Sequence, residues 1–232
     1  MDVLVIDIGG SHVKMTVSGA GESRRFKSSV KLTPDLLVAR VISLTGDWLY
    51  DAVSIGYPGA VNAKGPTAEP GNLGSGWVEF NFERTFRKPV RIVNDAVMQA
   101  LGGYEGGRML FLGLGTGVGS SLITEQVVVP LELGCLSFGA DTIVGRLGSQ
   151  GLDKHGTQRW IRDVANATRM LRKAFAADYV LLGGGNARKV QPLPEGARRG
   201  SNTHAFKGGF RLWEETVEPH DQSSPPVWRV VR

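Results

Sequence analysis

The chain opens on an unbroken apolar stretch, Val3-Leu4-Val5-Ile6, that stops at Asp7 and the pair Gly9-Gly10, and a second apolar stretch follows from Val13 to Val17. Two apolar runs joined across glycines predict a hairpin. From Pro34 to Leu49, Leu36, Leu37, Val41, Ile42 and Leu49 recur at helix-like intervals, and Ala52 to Ile55 reads as a short buried strand ended by Gly56-Tyr57-Pro58-Gly59. The order is strand, crossover helix, strand. Val90 to Val93 is a further strand running into Asn94-Asp95, after which Ala96, Val97, Ala100 and Leu101 begin a helix. The second half repeats this outline, with a strand from Met109 to Leu114, a Gly115-Thr116-Gly117 turn and a return strand from Val118 to Ile123. Gly9 and Gly115 are separated by close to half of the 232 residues, which a duplicated two-lobed fold predicts and two convergent hairpins would also give. Trp160, Ile161, Val164, Leu171 and Phe175 share one face of a helix from Thr157 to Ala176, with Arg159, Arg162, Arg169, Arg172 and Lys173 mostly off it. Tyr179 to Leu182 returns as a strand into Gly183-Gly184-Gly185-Asn186. Beyond Asn186 the sequence is rich in Pro, Gly, Arg and Ser. It reads as short of helix, with a loosely held tail from Pro219 to Arg232.

With 41% hydrophobic residues the chain supports one large domain or two small ones. We divide it into an N-terminal lobe, residues 1–105, and a C-terminal lobe, residues 106–232. No run of about 18 apolar residues and no basic leader are present, so membrane insertion and secretion are not expected, and a cytoplasmic protein is. The single cysteine, Cys135, excludes an internal disulfide framework, and no Cys/His spacing suits structural zinc. Glycine is abundant, 32 residues, without a three-residue period, and it clusters at the ends of apolar runs. The net charge of +5 is uneven: residues 1–105 hold 11 Lys/Arg and 11 Asp/Glu, whereas residues 106–232 hold 16 and 11. An anionic partner fits that excess, as does a solvated surface. Nucleic acid is not expected, because no basic helix motif or aromatic RNA-binding signature accompanies the charge. Arg169, Arg172, Lys173, Arg188, Lys189, Arg198 and Arg199 would suit a long polyanion or ATP alike.

Three glycine-rich turns at the carboxyl ends of apolar strands point to one chemistry. Glycine permits positive φ and lets a phosphate approach backbone N–H groups without a Cβ in the way. Neither the Walker spacing nor a GxGxxG opening a βαβ unit is present. Asp7, beside the first turn, suits a hydrated Mg²⁺ that takes its other ligands from phosphates. Lys14, in the return strand, faces either that site or solvent, and His12 has no assigned role. Asp95 after a strand and before a helix suits a general base for an attacking alcohol, and Asn94 offers donor and acceptor atoms to a polyol; an Asn-Asp helix cap fits the same pattern. Asn72, in GNLGSGW, and Glu132, in PLELGC, are either sugar ligands or turn residues.

The ordered series DIGGSHVK, GYPGAV, GNLGSGW, PVRIVNDA, GLGTGVGSSL, LELG and LLGGG, spanning about residues 2 to 186, resembles the ROK family of sugar kinases and repressors. That family lies within the wider actin, hexokinase and Hsp70 superfamily. Within it the chain looks most like the short polyphosphate or ATP glucokinases, and NTHAFKGGFRLWE at residues 202–214 shares that likeness. The resemblance implies an α/β, two-lobed actin-like ATPase (ribonuclease H-like) fold with a mixed sheet in each lobe and a central cleft. It implies Mg²⁺ organised by Asp7, phosphate wrapped by Gly9, Gly10 and Ser11, and a second phosphate loop at Gly115, Thr116 and Gly117. Asn72, Asn94 and Glu132 would bind sugar hydroxyls, Asp95 would activate the 6-hydroxyl, and Gly183, Gly184 and Gly185 would line an adenosine pocket. With Asp7 almost at the start no DNA-reading extension is expected, which favours an enzyme over a repressor. The expected activity is transfer of a phosphoryl group from polyphosphate or ATP to a hexose, with glucose first, and homodimers are common in the family. Cys135 stands where the family carries a histidine, so its zinc site is not carried over. That substitution and the short final segment leave a sugar- or nucleotide-binding protein without turnover as the alternative.

Overall fold

The computed structural model describes residues 1–62, 64–125, 127–201, 203–214, 217–219 and 228–230. The first half builds a five-stranded sheet in the order β3-β2-β1-β4-β7, from β1 (Val3–Ile8), β2 (His12–Val17), β3 (Arg24–Lys27), β4 (Ala52–Tyr57) and β7 (Val90–Asn94). β1, β2 and β3 run antiparallel, and β4 and β7 add in parallel. A small hairpin, β5 (Val61–Asn62) and β6 (Gly65–Pro66), and a short helix, α2 (Phe82–Phe86), lie between β4 and β7. The second half repeats the plan with β8 (Met109–Leu114), β9 (Val118–Thr124), β10 (Val127–Leu131), β13 (Tyr179–Gly183) and β14 (Ala197–Arg199). β8, β9 and β10 pair antiparallel, β13 and β14 add in parallel, and β16 (Trp228–Val230) and β15 (Val217–Pro219) extend the sheet beyond β10. Matching strand orders in the two halves are what duplication predicts.

Side-chain alternation along the central strands sets the layers. Leu4, Ile6 and Ile8 of β1 point outward, into a core with α1 (Pro34–Leu44), Trp77 and α2. Leu110, Leu112 and Leu114 of β8 point outward on the other side, where α4 (Ile143–Leu147), α5 (Ser149–His155) and α6 (Thr157–Ala174) cover them. A two-stranded ribbon, β11 (Ser137–Phe138) with β12 (Asp141–Thr142), precedes α4. A partly buried ion pair, Arg146 to Asp163 at 2.7 Å, ties α4 to α6. The inward faces, Val3 and Val5 of β1 and Met109 and Phe111 of β8, close on α3 (Asp95–Gly103) and α7 (His204–Glu214), which lie between the two sheets. The molecule is thus helices, sheet, helix pair, sheet, helices.

Three expectations change. The helix from Pro34 stops at Leu44 rather than Leu49: the backbone leaves helical geometry at Thr45, at φ −118° and ψ 16°, where the Thr45 Oγ1 donates to the Val41 carbonyl at 2.8 Å; Leu49 lies outside it, 89% exposed. The final segment is not short of helix. α7 contains Gly208 and Gly209, which serve close approach. A Cβ at Gly208 would collide with the Met98 carbonyl of α3, and one at Gly102 with the His204 carbonyl of α7. Within the tail, expected to be loosely held from Pro219, residues 228–230 pair with β10, while 220–227 and 231–232 lie outside the described residues.

Candidate active site

Between the sheets lies a cleft of about 930 Å³. Its walls are the turns that end the central strands. In the first, between β1 and β2, Gly9 N–H donates to the His12 carbonyl at 3.0 Å, and Ser28 holds the turn through its Oγ to the Gly9 carbonyl at 2.8 Å and its N–H to the Ser11 carbonyl at 3.1 Å. In the second, between β8 and β9, Gly115 N–H donates to the Gly117 carbonyl at 3.1 Å. Ser149, at the start of α5, clamps the Gly115 carbonyl with both its N–H at 3.0 Å and its Oγ at 2.8 Å. The third turn joins them, since Asn186 donates its N–H to the Leu114 carbonyl at 2.9 Å and its Nδ2 to Ser149 Oγ at 3.3 Å. The N–H groups of Gly10, Ser11, Thr116 and Gly117 find no acceptor among the described residues. Backbone donors left over on facing turns form a concavity suited to an anion.

The first two turns meet: a Cβ on Gly10 would stand 2.9 Å from Asn72 Nδ2 and 3.1 Å from Thr116 Oγ1. Asn72 sits in a loop fixed by Trp77, whose indole N–H donates to the Gly74 carbonyl at 2.6 Å and whose ring is fully buried against Tyr57. Positive φ, expected to explain the turn glycines, applies only to Gly184, at +80°. Gly115 and Gly185 have ordinary φ and nothing within 4 Å of a Cβ, so neither backbone conformation nor protein packing requires glycine there; both border the cleft.

Strand alternation turns Asp7 inward with Val3 and Val5, and register places it opposite Lys14. Asp7 is 7% exposed and accepts no hydrogen bond among the described residues; burial raises its pKa to about 6, with Lys14 pulling the other way. Asp95 opens α3. Its Oδ1 accepts the Ala96 N–H at 2.9 Å, and Oδ2 has no partner among the described residues. Burial first, then the charges of Asp7 and Glu132, raise its pKa to about 7, against the hydrogen bond from Ala96. Asn94 is the cap of α3: its Oδ1 accepts from Ala96 and Val97 at 2.9 and 3.3 Å, and its Nδ2 donates to the Gly59 carbonyl at 3.0 Å. The cap expected as an alternative for the pair is thus the work of Asn94, which leaves Asp95 facing the cleft. Glu132 follows β10 and is exposed, with Cys135 beside it donating its Sγ–H to the Glu132 carbonyl at 2.9 Å.

The cleft brings together Asp7, Gly9, Gly10, Ser11, Lys14, Asn72, Asn94, Asp95, Gly115, Thr116, Gly117, Glu132, Gly184 and Gly185. Gly183 does not line it. That residue ends β13 buried, where a Cβ would press on the Phe111 ring. Sequence reasoning missed Gln99, Ser149 and Asn186 as cleft residues and left His12 without a role. Gln99 stands four residues after Asp95, one helical turn on, which is a signal the sequence carried; Ser149 had none. As for metal, no group of three or more His, Cys, Asp or Glu among the described residues encloses an ion by itself. A buried hard-oxygen carboxylate beside spare phosphate donors fits a Mg²⁺ that keeps its waters.

No model of a known protein family matches the chain. A polyphosphate glucokinase from Mycobacterium tuberculosis is 27% identical over 207 residues, covering 80% of this chain and 78% of the relative. Among solved structures, an inorganic polyphosphate/ATP-glucomannokinase from Arthrobacter superposes with a TM-score of 0.78 at 19% identity, covering 90% of this chain and 96% of the other. A ROK family glucokinase from Streptomyces griseus, in complex with glucose and AMPPNP, gives a TM-score of 0.69 at 16% identity, with 90% and 98% covered. In sequence the chain is similar to polyphosphate glucokinases over four fifths of its length, and its fold is that of the ROK sugar kinases, an actin-like ATPase fold.

Proposed function

We propose that the chain is a hexokinase-type phosphotransferase that moves the terminal phosphoryl group of polyphosphate or ATP to the 6-hydroxyl of a hexose, glucose first. The observation that carries this reading is the free oxygen of Asp95 in a cleft whose turns keep four backbone donors unspent. Asn72, Glu132 and the remaining N–H of Asn94 orient the sugar, and the turn amides with Ser11 and Lys14 hold the donor phosphates. The sugar oxygen forms a bond to phosphorus as its proton passes to Asp95. The bond from phosphorus to the bridging oxygen breaks, releasing ADP or a chain one phosphate shorter. Such a base contributes about 10²–10⁴ in rate. When bound near Asp7, Mg²⁺ supplies neutralisation of charge on the transferring group. Closing the turns over the donor excludes water, the competing acceptor.

A coupled assay for hexose 6-phosphate with each donor tests the reading. Product from glucose is expected, and none from any hexose with either donor would overturn it. Asp95→Asn keeps the shape of the side chain and is expected to lower kcat by at least about 100-fold while sugar affinity changes little. Full turnover in that variant would remove Asp95 from this role, and sugar binding without turnover in the native chain would leave only a binding protein.

A further inference from the structure

β2 and β3 extend the sheet past Asp7 to an open edge, and their two faces are charged differently. On the face toward α1, Arg24 is neutralised: it pairs with Asp47 and with Glu22 at 2.7 Å and lies over the Trp48 ring at 4.3 Å, while Phe26 packs into the core beside it. Alternation turns Arg25 and Lys27 to the opposite face, the one that bears Asp7. The register sets Lys14 opposite Arg25 and His12 opposite Lys27. His12 and Lys14 line the cleft; Arg25 and Lys27 are exposed beyond it. Lys14, Arg25 and Lys27 have no ion pair among the described residues. Like charges directly opposite each other on a sheet are destabilising, and residues 1–105 as a whole are electrically balanced. Beyond Lys14, which faces Asp7, Arg25 and Lys27 continue a run of cations out of the cleft that no carboxylate pairs among the described residues; on a balanced half of the chain such a run is the footprint of an extended anion.

We propose that this face of β2 and β3 carries the distal part of an inorganic polyphosphate chain, whose reacting end lies at the glycine turns. The inference rests on the phosphotransferase reading and adds a direction to it: the long donor leaves the cleft over Lys14, Arg25 and Lys27, away from Gly184 and Gly185. Arg25 and Lys27 stand one strand further out than Lys14 and His12, so a short donor such as ATP is expected to depend on them less than a chain of tens of phosphates does.

The test compares Arg25→Gln/Lys27→Gln with Arg162→Gln/Arg169→Gln, which removes two exposed positive charges from α6. The ratio of kcat/KM for long polyphosphate to kcat/KM for ATP is expected to fall about tenfold in the β3 variant and to hold in the α6 variant. The dependence of long-chain binding on log salt is expected to become shallower by about one for each lost contact. ATP turnover reports that the β3 variant is folded. An unchanged ratio, an equal fall in the α6 variant, or a native enzyme that uses ATP but no polyphosphate would each overturn the proposal. A native chain inert with both donors would instead overturn the phosphotransferase reading itself.

Discussion

Asp95 and Asp7 meet the cleft as carboxyls pushed from the ordinary 3.8 to about 7 and about 6, chiefly by burial. The proton-accepting role assigned to Asp95 needs its ionised form, so kcat/KM for the sugar should fall as pH drops below about 7. Stability runs the other way. Both groups hold their protons more tightly folded than unfolded, so the native state loses stability as pH rises from about 4 through 6 and 7. At a few kcal/mol at most per group, the effect should appear in melting curves of the ligand-free protein. Asp95→Asn removes one of the two ionisations, and its Tm should fall less between pH 5 and pH 8 than that of the native chain; identical slopes would mean the carboxyl does not bear this cost. Gly115 offers a second test at this scale. With open space around it and ordinary φ, Gly115→Ala should leave Tm nearly unchanged yet raise KM for the phosphoryl donor several-fold, since the methyl group enters the space assigned to phosphate. A drop in Tm with unchanged KM would make that glycine structural.

Among the elements, the contact of α3 with α7 joins packing to chemistry, because α3 carries Asp95 at its first residue. Gly102→Ala gains about 1 kcal/mol in helix propensity. The added methyl collides with the backbone of α7, and overpacking of that kind costs about 1–3 kcal/mol, so the collision wins. A lower Tm is expected, with kcat reduced as α3 shifts; a Tm at or above the native value would show that the helices separate at no cost. The same glycines mark where the sequence stops being legible. β1, β2, β4, β7, β8, β9 and β13 could be read from apolar runs, because a buried strand needs apolar residues and its turn needs glycine, both local properties. α7 could not, because Gly208 and Gly209 are justified by Met98 and Val5, more than a hundred residues away in sequence. In the cleft, motif order located the carboxylates and two of the turns. It could not divide the work of Asn94 from that of Asp95, which depends on the Gly59 carbonyl, nor separate Gly183 from its neighbours, which depends on the Phe111 ring.

For the whole molecule, the two sheets share one filling. Ser54 of β4 donates its hydroxyl to the Gly209 carbonyl at 2.6 Å and accepts the Trp213 indole N–H at 2.8 Å, and Arg91 of β7 bonds the Leu212 carbonyl and stacks on the Trp213 ring at 4.4 Å. α7, late in the chain, is therefore fastened to strands made early. A nascent chain that has emerged only through Lys189 already contains every strand of the first sheet, yet Val3 and Val5 still lack the helix that shields them. Domains commonly complete themselves in the order of synthesis. Here β1 must wait for α7, so Asp95 and the glycine turns come into register only after residues 204–214 have been made, and until then Val3 and Val5 offer a bare apolar surface to chaperones and proteases.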